Sequence, residues 1–407
     1  AIRRQRQMCI RDSLRISSRL SILGGILMAV CSGFLSLFFF DDYKYSLYFV
    51  AVSIGLVFYS FSQSYNAILQ SVRRLKVYAK ISVYTSIGTL ASAAIFVYLF
   101  DTWGLIVSIV CGFGINCYLG YQAVKPRERK IVSQLKESIS RLRPVLERGF
   151  FIMLGTIFLP LFTLLLNGII GRSSIEKVGL FQASASIISQ GLVIISMILA
   201  TEFYPRICAV SDRDQLRKGF NDELRLLLVI LMPVQLGVIW MAPLIVTILY
   251  TDSFFLVPQL IRIMCLSLPF RFLWMISGYI ILSRGEKYAY FILDGLIGNG
   301  INFICCAMGF YLNDLIGLAW GWSVGSFLTS FLLLLAIFLR YSLPISLLNV
   351  ISVIGVSIIG SFLYIMLSGM GDYPFSHIIS GVLLVSAILY SLYRLRIIKV
   401  IKSRFIK

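Results

Sequence analysis

The stretch KPRERKIVSQLKESISRLRPVLER, residues 125–148, carries eight Lys and Arg side chains and separates two apolar segments, 103–124 and 150–171. Each segment has about the ~20 residues that a helix needs to cross the ~30 Å hydrocarbon layer of a membrane. Within 125–148, apolar residues recur at the spacing of an amphipathic helix that lies at a membrane surface. The stretch therefore predicts a basic interfacial linker between two groups of membrane-spanning helices.

The alternation of apolar and basic segments continues outward from this linker in both directions. Twelve long apolar stretches are present, at 20–40, 48–70, 81–100, 103–124, 150–171, 179–204, 224–250, 257–282, 288–311, 315–339, 345–368 and 375–393. Lipid leaves backbone groups no partner outside a helix or a closed barrel, and the alternating pattern of barrel strands is absent. The sequence therefore predicts an all-α polytopic membrane protein with twelve transmembrane helices.

Positive charge is distributed unequally between the two sides of these predicted spans. With residues 1–13 set aside, 28 Lys and Arg occupy the gaps on one side, and three (Lys44, Arg172 and Lys177) occupy the other. Only Arg262 and Arg271 lie inside a span. The positive-inside rule then predicts a multi-pass protein of the bacterial inner membrane with both ends in the cytoplasm.

Five segments follow from this pattern. Residues 3–13 match the translation of a transposon-type sequencing adapter, so the genuine sequence is expected to begin near Leu14. The predicted domains are an adapter scar at 1–13, four helices of a first lobe at 14–124, the linker at 125–148, a second lobe of six helices at 149–339, and two further helices with a basic tail at 340–407. Two helices before residue 14 would complete a first lobe of six. A chain without them is expected not to transport.

The composition excludes several classes of protein. Hydrophobic residues make up 58% of the 407 residues, far more than in a soluble domain. The net charge of +19 is explained by anchoring to anionic lipid headgroups, so no nucleic-acid partner is predicted. The chain has one His, and its eight Cys show no metal-ligand spacing, so neither a metal site nor nucleophilic catalysis is predicted.

Four stretches resemble motifs of one family of membrane proteins. Residues 67–79, AILQSVRRLKVYA, resemble a family turn of the form "LQG…R…YA", and Trp103–Leu105 resembles a family helix entry. Residues 178–206, which begin VGLFQA and end EFYPR, resemble the "VGxYQAA…YYPRL" helix and are the most specific match. Residues 278–285, GYIILSRG, resemble the "xxxLLAxGR" helix end. The family that the four stretches resemble is the O-antigen flippase branch of the multidrug/oligosaccharidyl-lipid/polysaccharide (MOP) exporter superfamily.

This resemblance implies a two-lobe fold of 14 helices, of which the predicted twelve would be helices three to fourteen. It implies flipping of an undecaprenyl-pyrophosphate-linked oligosaccharide between leaflets by alternating access, with no enzymatic activity and no cofactor. A coupling cation, H+ or Na+, drives some members. Membrane lipids and the polysaccharide polymerase machinery are the further partners that it implies, in O-antigen and lipopolysaccharide biosynthesis.

Polar residues inside the predicted spans are candidate site residues because charge in a membrane is costly. Arg271 lies about halfway along its span, and its guanidinium fork suits a pyrophosphate; the alternative is an intramembrane ion pair. Asp294 is a candidate for cation coupling, and the alternative is a structural pair with Lys or Arg. By helix rise, Arg271 and Asp294 would differ in depth by about 9 Å, so a direct pair requires tilt or a bridging water.

Four more residues complete the predicted substrate-binding set. Asn167, Gln182 and Asn302 are candidates for the polar lining of a sugar path, with ordinary helix packing as the alternative. Arg148 is a candidate for pyrophosphate contact at the cytoplasmic mouth, with a snorkelling anchor as the alternative. The tryptophans, Trp322 among them, are predicted to be interfacial anchors.

Alternative functions remain open from sequence. Within the superfamily, these are a lipid II flippase and a cation-coupled drug antiporter. A membrane polymerase would need a long outer loop, whereas no outer gap exceeds about ten residues. A transferase would need acidic metal ligands, and the acids at 212–223 read as solvated surface.

Overall fold

The computed structural model describes residues 2–40, 42–72, 74–124, 135–210, 212–369 and 374–405, and all regular secondary structure in these ranges is helical. Helices satisfy every backbone hydrogen bond internally, as an apolar chain in lipid requires. The chain forms two compact units, residues 1–147 and 148–407. The unit boundary lies within the stretch 125–148, of which residues 125–134 are outside the described ranges. The finer division of the second unit at residue 340 stays a prediction.

The first unit is built mainly from four helices. Their bounds are α1 Ile2–Val30, α2 Ser32–Phe40, α3 Ser46–Ser71 and α4 Leu75–Ala123, with a 3₁₀ turn at Tyr43–Tyr45. Helix α1 includes residues 2–13. Ile68, Leu69, Ile81 and Val124 form a small buried cluster where α3 and both ends of α4 meet.

The second unit carries the larger core. Its helices are α5 Leu135–Gly171 (from residue 148 onward), α6 Ile175–Ile198, α7 Tyr204–Cys208, α8 Arg213–Leu249, α9 Val257–Cys265, α10 Leu268–Ser283, α11 Asn299–Tyr341, α12 Leu347–Gly369 and α13 Pro374–Phe405. Two π-helices, Leu199–Phe203 and Tyr290–Gly298, interrupt the α-helical pattern. The core is centred on α8, α9 and α10, and it buries large side chains such as Phe220 and Phe272 completely.

Eight helices in the described part of the chain are long and apolar enough to cross a membrane, and the bent pair α9 and α10 would make nine. The prediction of an all-α multi-pass protein is confirmed, whereas the count of twelve crossings is not. Part of the difference arises in Lys287–Tyr341, one continuous apolar range that contains two predicted spans. The backbone leaves helical geometry there only at Asn313 and Asp314, where the chain reverses.

Other predicted spans are also broken. The predicted span 257–282 bends by 52° between α9 and α10. The span 20–40 divides at Cys31 between α1 and α2, which leaves Ile16–Val30 as a shorter apolar helix. Hydropathy averages over a window of residues and therefore does not register a local bend of the backbone.

The two units contain the same tight helical reversal. The sequence D-x-x-G-L occurs at Asp101–Leu105 in the first unit and at Asp314–Leu318 in the second, and both aspartates have a φ of 50°. A Cβ on Gly104 would lie 1.8 Å from the Phe96 carbonyl oxygen, and one on Gly317 would lie 2.0 Å from the Gly309 carbonyl oxygen. Only glycine permits the antiparallel helices to approach this closely.

Candidate functional site

One face of α10 lines a cavity in the second unit. Pro269 lies in the first turn of this helix, and Phe272, Leu273 and Ile276 bury its opposite face in the core. The cavity-lining side recurs once per helical turn, and its residues are Arg271, then Trp274 and Met275, then Gly278 and Tyr279, then Leu282. This spacing places them on one helical face. The arginine predicted from sequence therefore faces open space and not the packed core.

The cavity has a volume of about 500 Å³. Besides α10, its walls come from α5, α6 and the segment Tyr290–Asn299. The α6 wall contributes Ser189 and Ser196, two of the serines that follow one side of this helix. Small-molecule sites typically span roughly 300–1,000 Å³, so the volume suits a headgroup-sized ligand.

Arg271 is held by aromatic and hydroxyl groups. Its guanidinium lies 4.0 Å from the centroid of the Trp322 ring and 5.8 Å from that of Trp274. The Nε atom donates a hydrogen bond to the Ser326 hydroxyl at 3.2 Å. No ion pair among the described residues includes Arg271. The predicted alternative, an intramembrane ion pair, is therefore absent here, and cation–π contacts orient the charge instead.

Asp294 lines the same cavity but bonds to aromatic side chains. The Trp274 indole Nε1 donates to its Oδ1 atom at 2.6 Å, and the Tyr290 hydroxyl donates to the same carboxylate. Gly278 leaves room for this carboxylate, since a Cβ there would lie 2.8 Å from Oδ1. Trp274 thus contacts both Arg271 and Asp294, and the two charges do not pair directly.

The backbone around Asp294 is unusual. Residues Tyr290–Gly298 form a nine-residue π-helix, a geometry that is rare and is often found at functional sites. Gly295 packs on Gly155 of α5 so closely that a Cβ on Gly295 would lie 2.6 Å from the Gly155 Cα. The widened helix and the glycine contact together bring the Asp294 carboxylate to the cavity wall.

Asn302 supports the Arg271 site from behind. It is buried, and its amide nitrogen donates to the Trp322 carbonyl and to the Ser326 hydroxyl, both at 3.3 Å. Its side chain therefore orients the same serine that accepts the Arg271 hydrogen bond. Asn302 also lines a small adjoining cavity of about 20 Å³, which is room for about one water molecule.

Two other predicted residues, Asn167 and Gln182, lie away from this cavity, and the side chain of Arg148 lies outside the described residues. Gln182 donates to the Asn167 side-chain oxygen at 2.9 Å, and neither residue lines the 500 Å³ cavity. The two amides thus satisfy one another between α5 and α6, as the packing alternative predicts.

The sequence did not reveal the aromatic partners of the site. Trp322 was predicted to be an interfacial anchor, and this is wrong: its ring is half-buried against Arg271. Trp274, Tyr290 and Ser326 carried no motif. Trp274 could have been found from the sequence, because it follows Arg271 by three residues and this spacing places both on one face of a helix.

The family described as polysaccharide biosynthesis protein matches residues 14–257, more than half of the chain. The chain belongs to this family. No curated protein sequence matches the chain.

Among the described residues, no group of three or more His, Cys, Asp and Glu side chains is placed to hold a metal ion.

Solved structures of low sequence identity share the fold of this polysaccharide biosynthesis family member. The lipid II flippase MurJ, in an inward closed conformation, aligns with a TM-score of 0.67 at 13% identity, over 97% of this chain and 85% of that chain. A MOP superfamily transporter from Pyrococcus furiosus gives 0.66 at 17%, over 83% and 79%. The Vibrio cholerae MATE transporter VcmN gives 0.61 at 15%, over 83% and 84%.

The family and the helices together give a coarse description. The protein is a multi-pass membrane protein of a polysaccharide biosynthesis family. The identities to the solved structures are all below 20%, so the likeness extends to the fold alone. The substrate has to be inferred from this chain's own cavity.

Proposed function

We propose that the protein flips an undecaprenyl-pyrophosphate-linked oligosaccharide, the repeat unit of O-antigen or a related polysaccharide, across the bacterial inner membrane by alternating access. The observation that carries this proposal is the Arg271 guanidinium, which faces a cavity of about 500 Å³ without a carboxylate partner among the described residues. A buried cation in a membrane protein is costly unless an anion joins it. A pyrophosphate would supply that anion.

The surroundings of Arg271 suit such a headgroup. Arginine binds phosphate oxygens through two parallel N–H donors, and only its Nε is used by Ser326. Ser189, Ser196 and Asn299 line the same cavity. The Ser189 hydroxyl donates to the Ala185 carbonyl, and the Asn299 amide nitrogen donates to the Asp294 and Gly295 carbonyls, so these two side chains offer oxygen acceptors to sugar hydroxyls. Asn302 acts by holding Ser326, whereas Asn167 and Gln182 are proposed to stabilise α5 and α6.

The membrane arrangement is part of the same proposal. Twelve crossings would place the gaps that hold 28 of the Lys and Arg side chains on the cytoplasmic side, together with both chain ends. The polysaccharide polymerase machinery on the outer side would receive the flipped repeat unit. Arg148 is proposed to meet the pyrophosphate at the cytoplasmic mouth.

Asp294 is proposed to couple transport to H+ or Na+. Asp294→Asn removes the negative charge but keeps an oxygen that accepts from Trp274. We expect this variant to bind the lipid-linked substrate and to lose the stimulation of transport by an imposed ion gradient. Proteoliposome transport of a fluorescent lipid-linked oligosaccharide, with and without the gradient, measures this. Asp252→Asn, an exposed carboxylate outside the cavity, is the control; equal stimulation in both variants would refute the coupling role.

Complementation tests the substrate. The protein is expected to restore surface polysaccharide to a flippase-deficient strain that makes the matching repeat unit. The same plasmid is expected not to rescue a strain depleted of lipid II flippase, and not to confer resistance to cationic drugs. Rescue of lipid II transport or drug resistance without polysaccharide would replace the proposal by the corresponding alternative.

A further inference from the structure

A second cavity, of about 400 Å³, lies between α7 and the beginning of α8, away from the Arg271 site. Its charged lining residues are Arg206, Lys218 and Arg225 on the basic side, and Asp222 and Glu223 on the acidic side. Gly219 lies on the wall, and a Cβ there would meet nothing within 4 Å. The cavity is therefore open at this point and carries an excess of positive charge.

One of the acids is already neutralised. Arg206 forms an ion pair with Glu223, whose side chain is only 6% exposed, whereas that of Arg206 is 46% exposed. This pair fixes the Arg206 guanidinium at the rim of the cavity. Arg225 is exposed, and no ion pair among the described residues includes it. The charged side chains that line the cavity, three basic and two acidic, leave a net charge of +1.

The cavity lies beside the part of α8 where the sequence changes from charged to apolar. The helix is charged from Arg213 to Arg225 and almost entirely apolar from Leu226 to Leu249. The cavity reaches this change, because its lining along α8 runs from Gln215 to Leu226, and Ile207 and Val210 line it as well. Basic and apolar side chains around one cavity are complementary to a phosphate group that carries acyl chains.

We propose that this cavity binds the phosphate headgroup of an anionic phospholipid. The site is distinct from the transport cavity and does not depend on which substrate is flipped. Arg284, at the end of α10, donates to the carbonyl oxygens of Ile207 and Val210 at 3.0 and 2.9 Å, within the same segment. A lipid bound here would therefore brace the end of the helix that carries Arg271.

Native mass spectrometry of the full chain tests the site. The protein is released from nanodiscs that contain phosphatidylglycerol and phosphatidylcholine in equal amounts, and the bound lipids are counted. The wild type is expected to retain phosphatidylglycerol selectively. Arg225→Gln is expected to weaken this retention about fivefold, and Lys218→Gln with Arg225→Gln by tenfold or more, since each basic residue near a headgroup contributes about equally.

Arg217→Gln is the matched control, because Arg217 is exposed on the same helix and does not line the cavity. Unchanged selectivity in this control, together with loss in Arg225→Gln, supports the proposal. Equal loss in both variants would mean diffuse surface charge and would overturn it. A soluble phosphate would replace the lipid as the ligand under two joint results. Millimolar inorganic phosphate would displace the bound lipid, and the protein would show no preference for phosphatidylglycerol over phosphatidylcholine.

Discussion

Replacing Arg271 with Gln is expected to lower transport of the lipid-linked oligosaccharide by about 10- to 100-fold per folded molecule, because hydrogen bonds to a charged group are worth roughly 1.5–3 kcal/mol. The glutamine keeps a hydrogen-bond donor for Ser326 but removes the charge that faces the cavity. Arg271→Lys keeps the charge and loses the planar fork, so an intermediate rate is expected. The measurement is transport into proteoliposomes, normalised to monodisperse protein.

Arg262→Gln is the matched control for this prediction. Arg262 is the other arginine within a predicted span, but its Nε donates to the Ile239 carbonyl at 3.1 Å and it does not line the cavity. Its replacement is expected to lower the amount of folded protein while leaving transport per folded molecule unchanged. If Arg271→Gln lowers only the amount of folded protein and leaves transport per folded molecule unchanged, Arg271 has a structural role and is not part of the substrate site.

Gly321→Ala is expected to destabilise the protein by about 3 kcal/mol or more, at the upper end of overpacking effects. Within α11, the halves on either side of Asp314 pack antiparallel. A Cβ on Gly321 would lie 2.2 Å from the Cys305 carbonyl oxygen and 2.9 Å from the Cys306 Cα. These are backbone atoms, so they cannot rotate away, and the halves must separate. Thermal unfolding in detergent, followed by size-exclusion chromatography, measures the loss.

The control is Gly355→Ala in α12, where an added Cβ meets nothing within 4 Å. Alanine is a better helix former than glycine, so this variant is expected to unfold at the wild-type temperature or slightly above it. A melting temperature for Gly321→Ala equal to that of Gly355→Ala would show that the close contact does not limit stability. Gly321→Ala is expected to lose transport as well as stability. Gly325, on the same helical face as Gly321, packs against Asn302, so separating the two halves of α11 also displaces Asn302.

Several features of the site could be predicted from sequence. Arg271 and Asp294 were identifiable because charges are rare inside apolar spans, and both line the cavity. Their partners were not identifiable, because Trp274, Trp322 and Ser326 are ordinary residues of membrane helices. Asn167 and Gln182 had the same signal as Asn302, yet they bond to each other. Polarity alone does not distinguish a side chain that meets substrate from one that meets a neighbouring helix.

The sequence by itself determined the helical class and the membrane environment. Length and apolar content fix a spanning helix, since lipid offers no other way to satisfy the backbone. Only the tertiary structure decided where the helices break and which side chains share a cavity. The Trp274 indole contacts Arg271 on its own helix, α10, and Asp294 on the π-helix Tyr290–Gly298. These contacts depend on how each helix is rotated about its axis and on the wider turn of the π-helix. Those are set by packing of glycines and side chains between helices, which a linear pattern of hydropathy does not encode.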